Sequence, residues 1–216
     1  MSPISFPSWT GSRGRLSRVV VMLGLWHESR GRSKARQAPQ IRNWTTTLHL
    51  IVLTMVRTVE LRGARWDEFD LDKRVWLIPE ERMKMRAPHL VPLSRQALEI
   101  LDELRPITGA CDLVFPGRSD RRKPISENTL LYALYRMGYH QRATTHGFRA
   151  LASTILNESG LWRPDAIERQ LAHKEQNAVR AAYHRSEYLE ERVRMMQWWA
   201  DFLDASEREA ADDKAA

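Results

Sequence analysis

Two side chains in the segment HGFR, His146 and Arg149, have the spacing of a phosphate-binding pair. The surrounding pattern predicts the start of a helix, where residues three apart project from one face. The first turn of a helix is the positive end of its dipole and attracts anions. Arginine suits this position because its planar guanidinium donates two parallel hydrogen bonds to phosphate oxygens and stays charged. The pair therefore indicates phosphate chemistry.

Cutting a phosphodiester without a metal requires a nucleophile, cationic donors for the non-bridging oxygens, and an acid for the departing oxygen. Tyr183 offers a hydroxyl nucleophile, and Arg57 offers a second guanidinium beside that of Arg149. Lys84, which follows a predicted strand, offers a titratable amine as the acid. The sequence thus contains every kind of group that such a reaction needs.

Each of these residues also has a simpler structural interpretation. Arg57 alone is more often an ion-paired surface residue, and Lys84 a solvated strand lysine. Tyr183 is by default an aromatic residue at the edge of the core whose hydroxyl reaches water. By default His146 caps a helix or lies in the core, and His173 interacts with a helix dipole. The order of these residues along the chain decides between the interpretations.

Four segments, in order along the chain, resemble the motifs of the tyrosine recombinase (phage integrase) family. The resemblance covers about residues 44–204, and the joint order of the motifs argues against coincidence. One departure lies before the first arginine, where a frequent Thr-Gly pair of the family reads Met55-Val56, which we interpret as packing variation. The matching residues are Arg57 with Glu60 and Leu61 in VRTVEL, Lys84, His146 with Arg149 in HGFR, and His173 with Tyr183 in LAHKEQNAVRAAYHR.

The resemblance implies a covalent mechanism at Tyr183. The tyrosine oxygen would attack the scissile phosphate, forming a 3′-phosphotyrosyl link and releasing a 5′ hydroxyl. The ester stores the energy of the broken bond, so strand exchange needs neither ATP nor a divalent metal, and no cofactor is implied. In this mechanism Lys84 protonates the departing 5′ oxygen, and His146 assists proton movement at the tyrosine.

The resemblance also assigns three residues to the pentacoordinate phosphate. Arg57, Arg149 and His173 would stabilise its negative charge, and Glu60 would support the first arginine.

The charge of the chain favours a polyanionic partner. Its 216 residues have a formal net charge of +7. Residues 1–43 contain eight Lys or Arg and one acid, Glu28, whereas the remainder is balanced. With the resemblance, this predicts double-stranded DNA as the partner, a homo-oligomer on DNA, and no small-molecule substrate.

Several other classes of protein are excluded by composition. The apolar run at residues 48–56 is too short to span a bilayer, and the first residues lack the pattern of a secretory signal. The single cysteine, Cys111, excludes an internal disulfide, and no Cys/His cluster has metal-ligand spacing. We expect a cytoplasmic protein without a metal site or membrane contact.

The signals along the chain predict a mainly α fold with a small antiparallel β-sheet of about three strands (α+β). By resemblance this is the tyrosine recombinase catalytic domain fold. Residues 75–79 form one predicted strand, and a hairpin follows with Leu90 and Val91 on its second strand and Lys84 on its first. Thr45 to Thr47 are N-cap candidates for the first helix. Helices are predicted over residues 45–57, 95–104, 126–137, 147–158, 164–171, 178–184 and 189–203.

We predict three segments: a basic leader at residues 1–43 that is disordered or non-homologous, a catalytic domain at residues 44–204, and an acidic disordered tail at residues 205–216. Integrases usually carry DNA-binding domains ahead of the catalytic domain. Because residues 1–43 are too few to form them, we expect a product truncated at those domains.

Three functions stay open. The first is a site-specific DNA recombinase, an integrase. The second is a catalytically impaired, DNA-binding remnant, which the short leader favours, and the third is a relaxing enzyme like a type IB topoisomerase.

An apolar stripe that includes Trp198 and Trp199 favours core packing, with docking on a neighbouring subunit as the second interpretation.

Overall fold

The computed structural model describes residues 39–173 and 188–215, and helices dominate both parts. Three short strands form one antiparallel sheet. The predicted class, mainly α with a small antiparallel sheet, is confirmed. The helices are α1 (Pro39–Thr54), α2 (Thr58–Arg62), α3 (Arg95–Thr108), α4 (Thr129–Arg136), α5 (Thr145–Glu158), α6 (Pro164–Gln170) and α7 (Leu189–Ala215), and the strands are β1 (Phe69–Asp70), β2 (Val75–Ile78) and β3 (His89–Pro92).

Local sequence signals explain where two of the longer helices begin. The Ser94 hydroxyl accepts a hydrogen bond of 3.3 Å from the Ala97 amide at the start of α3. The Thr144 hydroxyl accepts one of 3.0 Å from the Gly147 amide at the start of α5. Each bond satisfies an amide that has no partner within its helix. The cap at Thr144 fixes α5 two residues earlier than predicted.

The sheet has the order β1-β2-β3, and the alternation of side chains decides its faces. Trp76 pairs with Phe69 on one side and with Val91 on the other. Trp76 and Ile78 are buried, whereas Leu77 between them is exposed. The sheet therefore turns one face to the core and the other to solvent.

Helix α1 lies at the centre of the core and packs against α3, α4, α5 and α7. Its residues Leu50 and Ile51 are fully buried. Trp199 of α7 is buried as well, and its indole N–H donates a 3.0 Å hydrogen bond to the Val52 carbonyl. Trp198 is also buried. Core packing of the tryptophan stripe, the favoured interpretation, is thus confirmed.

The ends of the described chain differ from the prediction. Helix α1 begins at Pro39, so residues 39–43 of the predicted leader are helical and Thr45 to Thr47 lie inside the helix rather than cap it. Proline fits the first turn, where its missing N–H needs no partner. At the other end, α7 continues through Ala215, so the predicted disordered tail at residues 205–216 is wrong up to that residue. Its Ala, Glu, Arg and Lys side chains are good helix formers.

Lys84 lies on a turn between β2 and β3, not on a strand. Strand β2 ends at Ile78 because Pro79 follows it and cannot donate to the ladder. A short 3₁₀ helix, Glu80–Arg82, then leads into the turn. The second strand of the predicted hairpin is confirmed as β3, but its predicted first strand, which included Lys84, is wrong, because β3 pairs antiparallel with β2 instead. The predicted helix at residues 178–184 lies outside the described residues.

Within residues 39–173 and 188–215, no helix is both long enough and apolar enough to cross a membrane.

Candidate active site

Arg57 lies at the N-terminus of α2 and is held by Glu60. The Arg57 amide donates to Glu60 Oε2 at 2.7 Å, and its guanidinium Nη1 donates to Oε1 at 2.8 Å. Glu60 is almost fully buried, whereas about a quarter of the Arg57 side chain is exposed. The carboxylate therefore fixes both the backbone and the guanidinium of Arg57. The prediction that Glu60 supports the first arginine is confirmed.

Arg149 lies in the second turn of α5 and is buried. Its Nη2 donates a 2.6 Å hydrogen bond to the Leu171 carbonyl, and its Nη1 donates to the Met55 carbonyl. Arg57 Nη2 donates to the next carbonyl along the chain, that of Ala172, at 3.2 Å. The two arginines are therefore held by adjacent backbone carbonyls, immediately before His173.

Two of the three carbonyls that hold the arginines belong to residues with a left-handed backbone. Met55 has a φ of 57° and Ala172 a φ of 48°, a region that favours glycine. Such a conformation costs about 1 kcal/mol or more in a residue with a side chain. Met55 is also buried. The departure from the family's Thr-Gly pair at Met55-Val56 therefore involves backbone strain at Met55 as well as packing.

His173 directly follows these carbonyls, at the end of the α6 turn. Its Nδ1 is 2.6 Å from Glu168 Oε2, and its amide donates to the Glu168 carbonyl at 3.1 Å. The Glu168 carboxylate accepts a hydrogen bond from Nδ1–H, so Nε2 is the ring nitrogen that is able to contact a ligand. The side chain is about half exposed, so a ligand has access to it.

His146 is the second residue of α5, and its side chain is exposed. The start of this helix lies beside the start of α2, because the hydroxyls of Thr58 and Thr145 form a 2.9 Å hydrogen bond. His146 directly follows Thr145, and Arg57 directly precedes Thr58. The two residues therefore lie at neighbouring helix starts. Both N-terminal dipole ends add positive potential there.

Of the other two predicted residues, the structure describes only Lys84. Lys84 is exposed on its turn, and no hydrogen bond or ion pair within residues 39–173 and 188–215 links it to the arginines. Tyr183 lies among residues 174–187, outside the described part of the chain.

The electrostatics of the cluster favour an anion. Burial, and to a lesser extent the positive charge of Arg57, lower the pKa of Arg149 to about 10, whereas Glu60 opposes the shift. Arg149 therefore still carries its charge at neutral pH. Arg57, Arg149 and Glu60 together are two guanidinium groups and one carboxylate, so these three side chains have a net positive charge.

Three buried polar residues, Gln170, Arg192 and His89, lie directly behind this cluster, and the sequence did not indicate them. Gln170, fully buried at the end of α6, donates from Nε2 to the Thr54 carbonyl at 3.0 Å. Arg192 of α7 donates from Nε and Nη2 to Gln170 Oε1 at 3.1 and 2.8 Å, and from Nη2 to the Leu90 carbonyl at 2.6 Å. His89 Nε2 is 3.2 Å from the Gln170 carbonyl.

His89 is neutral in this group. Burial lowers its pKa to about 3, and the positive charges of Arg192, Arg169 and Arg149 act in the same direction. A carbonyl only accepts hydrogen bonds, so the contact with Gln170 places the single ring proton on Nε2. No sequence signal marked these residues, because polar residues on helices are common and their burial depends on tertiary packing.

The family model of the phage integrase family matches residues 32–190. The chain belongs to the phage integrase family. The match begins at residue 32 and so includes residues 32–43 of the predicted leader.

One relative of this chain is the integrase of Enterobacteria phage P4. The two are 54% identical over 170 residues, which cover 72% of this chain and 39% of the relative. The chain spans about two-fifths of the length of the curated relatives that it matches.

Two solved structures resemble the fold. The integrase from mycobacterium phage Brujita has a TM-score of 0.57 at 17% identity, over 91% of this chain and 59% of that chain. The XerH site-specific recombinase bound to its difH substrate has a TM-score of 0.55 at 17% identity, over 81% of this chain and 50% of that chain. The predicted fold, that of a tyrosine recombinase catalytic domain, is confirmed.

Proposed function

We propose that this member of the phage integrase family cuts and rejoins double-stranded DNA through a 3′-phosphotyrosine link at Tyr183. One observation carries the proposal. Arg57 and Arg149, distant in sequence, are held on the consecutive carbonyls of Leu171 and Ala172, directly before His173. Three of the motifs that resemble the family therefore converge in space.

The arginines keep donors available for a phosphate. A guanidinium has five N–H groups, and the contacts described above use two from Arg57 and two from Arg149. The remaining donors would bind the non-bridging oxygens of the scissile phosphate, and Nε2 of His173 would donate to them when the ring carries a proton on both nitrogens. The charge that develops on these oxygens in the transition state would be stabilised more strongly than the ground state.

The bond changes balance without a further reactant. A bond forms between the Tyr183 oxygen and phosphorus, and the bond from phosphorus to the 5′ oxygen breaks. We assign the tyrosine proton to His146, at the exposed start of α5, and the proton that the 5′ oxygen receives to Lys84. Lys84 is on a turn of the loop between β2 and β3, and we propose that this turn approaches the 5′ oxygen when DNA is bound.

The partner in this proposal is double-stranded DNA, with a homo-oligomer assembled on it and a cytoplasmic location. The similar XerH recombinase was solved with its difH substrate, and the net charge of +7 is compatible with a polyanion. The catalytic unit would cover residues 44–204 together with the start of α1 at Pro39. Sedimentation of the protein with and without a DNA duplex would measure the number of subunits.

The decisive test uses nicked suicide duplexes taken from the DNA that flanks the protein's own gene. The nick lets the cleaved fragment diffuse away, so a covalent adduct accumulates and is visible on a denaturing gel. An adduct with the wild-type chain that is lost in Tyr183→Phe supports the proposal. If folded protein binds these duplexes without forming an adduct, the proposal is wrong and a DNA-binding chain without cleavage activity is the better account.

A further inference from the structure

Arg192 is a buried cation held by neutral oxygens. It is the fourth residue of α7, 4% of its surface is exposed, and its side chain donates to Gln170 Oε1 and to the Leu90 carbonyl. Among the described residues, no carboxylate lies within ion-pair distance of it. Burying a charge in this way costs several kcal/mol unless its hydrogen bonds are well formed. The structure therefore constrains the position of this guanidinium tightly.

Gln170 links Arg192 to the arginine cluster. Its side-chain oxygen accepts from Arg192, its side-chain nitrogen donates to the Thr54 carbonyl, and its own carbonyl accepts from His89. One residue thus joins the end of α1, strand β3, the end of α6 and α7. Each polar atom of the Gln170 side chain has a partner, so the amide has one preferred orientation.

The two ends of this link, Thr54 and Gln170, are directly next to the residues whose carbonyls hold Arg149. Thr54 precedes Met55, whose carbonyl accepts from Arg149. Gln170 precedes Leu171, whose carbonyl also accepts from Arg149. A shift of Gln170 would therefore move both anchors of that guanidinium.

We propose that Arg192 and Gln170 are positioning residues, which hold the Leu171 and Met55 carbonyls at the spacing that orients Arg149 toward the scissile phosphate. The inference rests on the proposed function, and it assigns to α7 a role in the active site. Neither residue touches the DNA in this proposal. Misplacement of a catalytic group by about 1 Å can cost about 100-fold in rate.

The test compares Arg192→Met with Arg194→Met, an exposed arginine on the same helix. Both variants lose one charge and gain the same side chain. With saturating amounts of the suicide duplex that gives the wild-type adduct, we expect the single-turnover rate of Arg192→Met to fall by about 100-fold. Arg194→Met should keep the wild-type rate, and DNA affinity should change little in either variant.

Gln170→Glu provides a second variant, which gives Arg192 a carboxylate partner and so protects the fold. It also replaces the donor to the Thr54 carbonyl by an oxygen that repels this carbonyl, so we expect slower cleavage at unchanged DNA affinity. A methylphosphonate at the scissile position then separates positioning from general destabilisation. This group lacks the charge of the phosphate, so a misplaced Arg149 should matter less and the loss of rate in both variants should shrink.

Hydrogen exchange gives a readout that needs no DNA. The amides of Leu171, Ala172 and His173 donate to carbonyls within α6. These three amides should exchange faster in Arg192→Met than in wild type. In Arg194→Met they should exchange at the wild-type rate. Folded Arg192→Met that cleaves at the wild-type rate, or exchanges like wild type at these amides, overturns the inference. Failure of the wild-type chain to form any adduct would instead contradict the proposed function, and with it this inference.

Discussion

Arg57 and Arg149 donate hydrogen bonds to consecutive backbone carbonyls, those of Ala172 and Leu171. Guanidinium groups repel each other, and the negative ends of two carbonyl dipoles together with Glu60 offset this repulsion. The arrangement places two positive charges beside His173 before any substrate arrives. Such preorganisation is what makes charge stabilisation effective in a transition state, since no reorganisation is needed during the reaction.

Replacement of Glu60 by Gln should weaken the hold on Arg57. The carboxylate accepts from both the amide and the guanidinium of Arg57, and an amide is able to accept only at its oxygen. Hydrogen bonds to charged groups contribute about 1.5–3 kcal/mol, so we expect a loss of that order in the free energy of unfolding. Urea denaturation measures it.

The matched control for that change is Glu127→Gln. Glu127 is exposed and forms a surface ion pair of 3.2 Å with Arg62, which should contribute about 1 kcal/mol or less. Equal losses in the two variants would show that the burial of Glu60 has no special effect on Arg57.

Arg149→Lys should slow DNA cleavage while leaving the charge of the site unchanged. A lysine ammonium is a single point of donation on a flexible stem, so it cannot hold the Met55 and Leu171 oxygens at the spacing of a guanidinium fork. We expect the single-turnover rate to fall by about 100-fold, the loss typical of one misplaced oxyanion donor. Exposed Arg136→Lys is the control. A wild-type rate in Arg149→Lys would exclude the fork geometry as a requirement.

Met55→Gly should destabilise the fold even though it relieves backbone strain. The left-handed φ of Met55 costs about 1–2 kcal/mol in a residue with a side chain. Removal of a buried methionine side chain costs about 2–5 kcal/mol, which is larger. Thermal melting should therefore show a lower midpoint.

Arg74→Gly separates the two contributions to that result. Arg74 also has a positive φ, of 55°, but its side chain is exposed, so glycine there relieves strain without leaving a cavity. We expect little change or a small gain in stability. A Met55→Gly protein as stable as Arg74→Gly would mean that the Met55 side chain contributes nothing to the core.

His89 should make the protein less stable as the pH falls. Its pKa is lowered from 6.5 to about 3 in the folded state, so below pH 6.5 the unfolded chain binds a proton that the folded chain does not. The contribution to stability is complete above pH 6.5 and decreases toward pH 3, by up to about 1.4 kcal/mol for each pH unit.

His89→Gln removes this titration and keeps a donor for the Gln170 carbonyl. The free energy of unfolding, measured by denaturant between pH 4 and 7 (roughly the window set by the shifted pKa), should depend less on pH than in wild type. Exposed His140→Gln should keep the wild-type dependence. Identical pH dependence in His89→Gln and wild type would contradict a neutral, buried His89.

Local signals in the sequence were sufficient for much of the fold and for part of the site. Ser94 caps α3 as predicted, and the pairing of Arg57 with Glu60 follows from their spacing at a helix start. Strands β2 and β3 were predicted, but Lys84 was placed on a further strand between them. Pro79 ends β2, and the 3₁₀ helix that follows leads into a turn that contains Lys84.

The sequence by itself determined which residue types are available for phosphate chemistry and in which order they occur, and hence the family. Helix starts and strand patterns could also be predicted from the sequence, because they depend on neighbours a few residues away. Tertiary structure alone decided that Arg57 and Arg149 donate to adjacent carbonyls just before His173, and that Gln170 and Arg192 are buried behind them. Every residue has a carbonyl, so no residue type marks the ones that will hold a distant guanidinium. Only the packing of α1, α5, α6 and α7 brings donor and acceptor together.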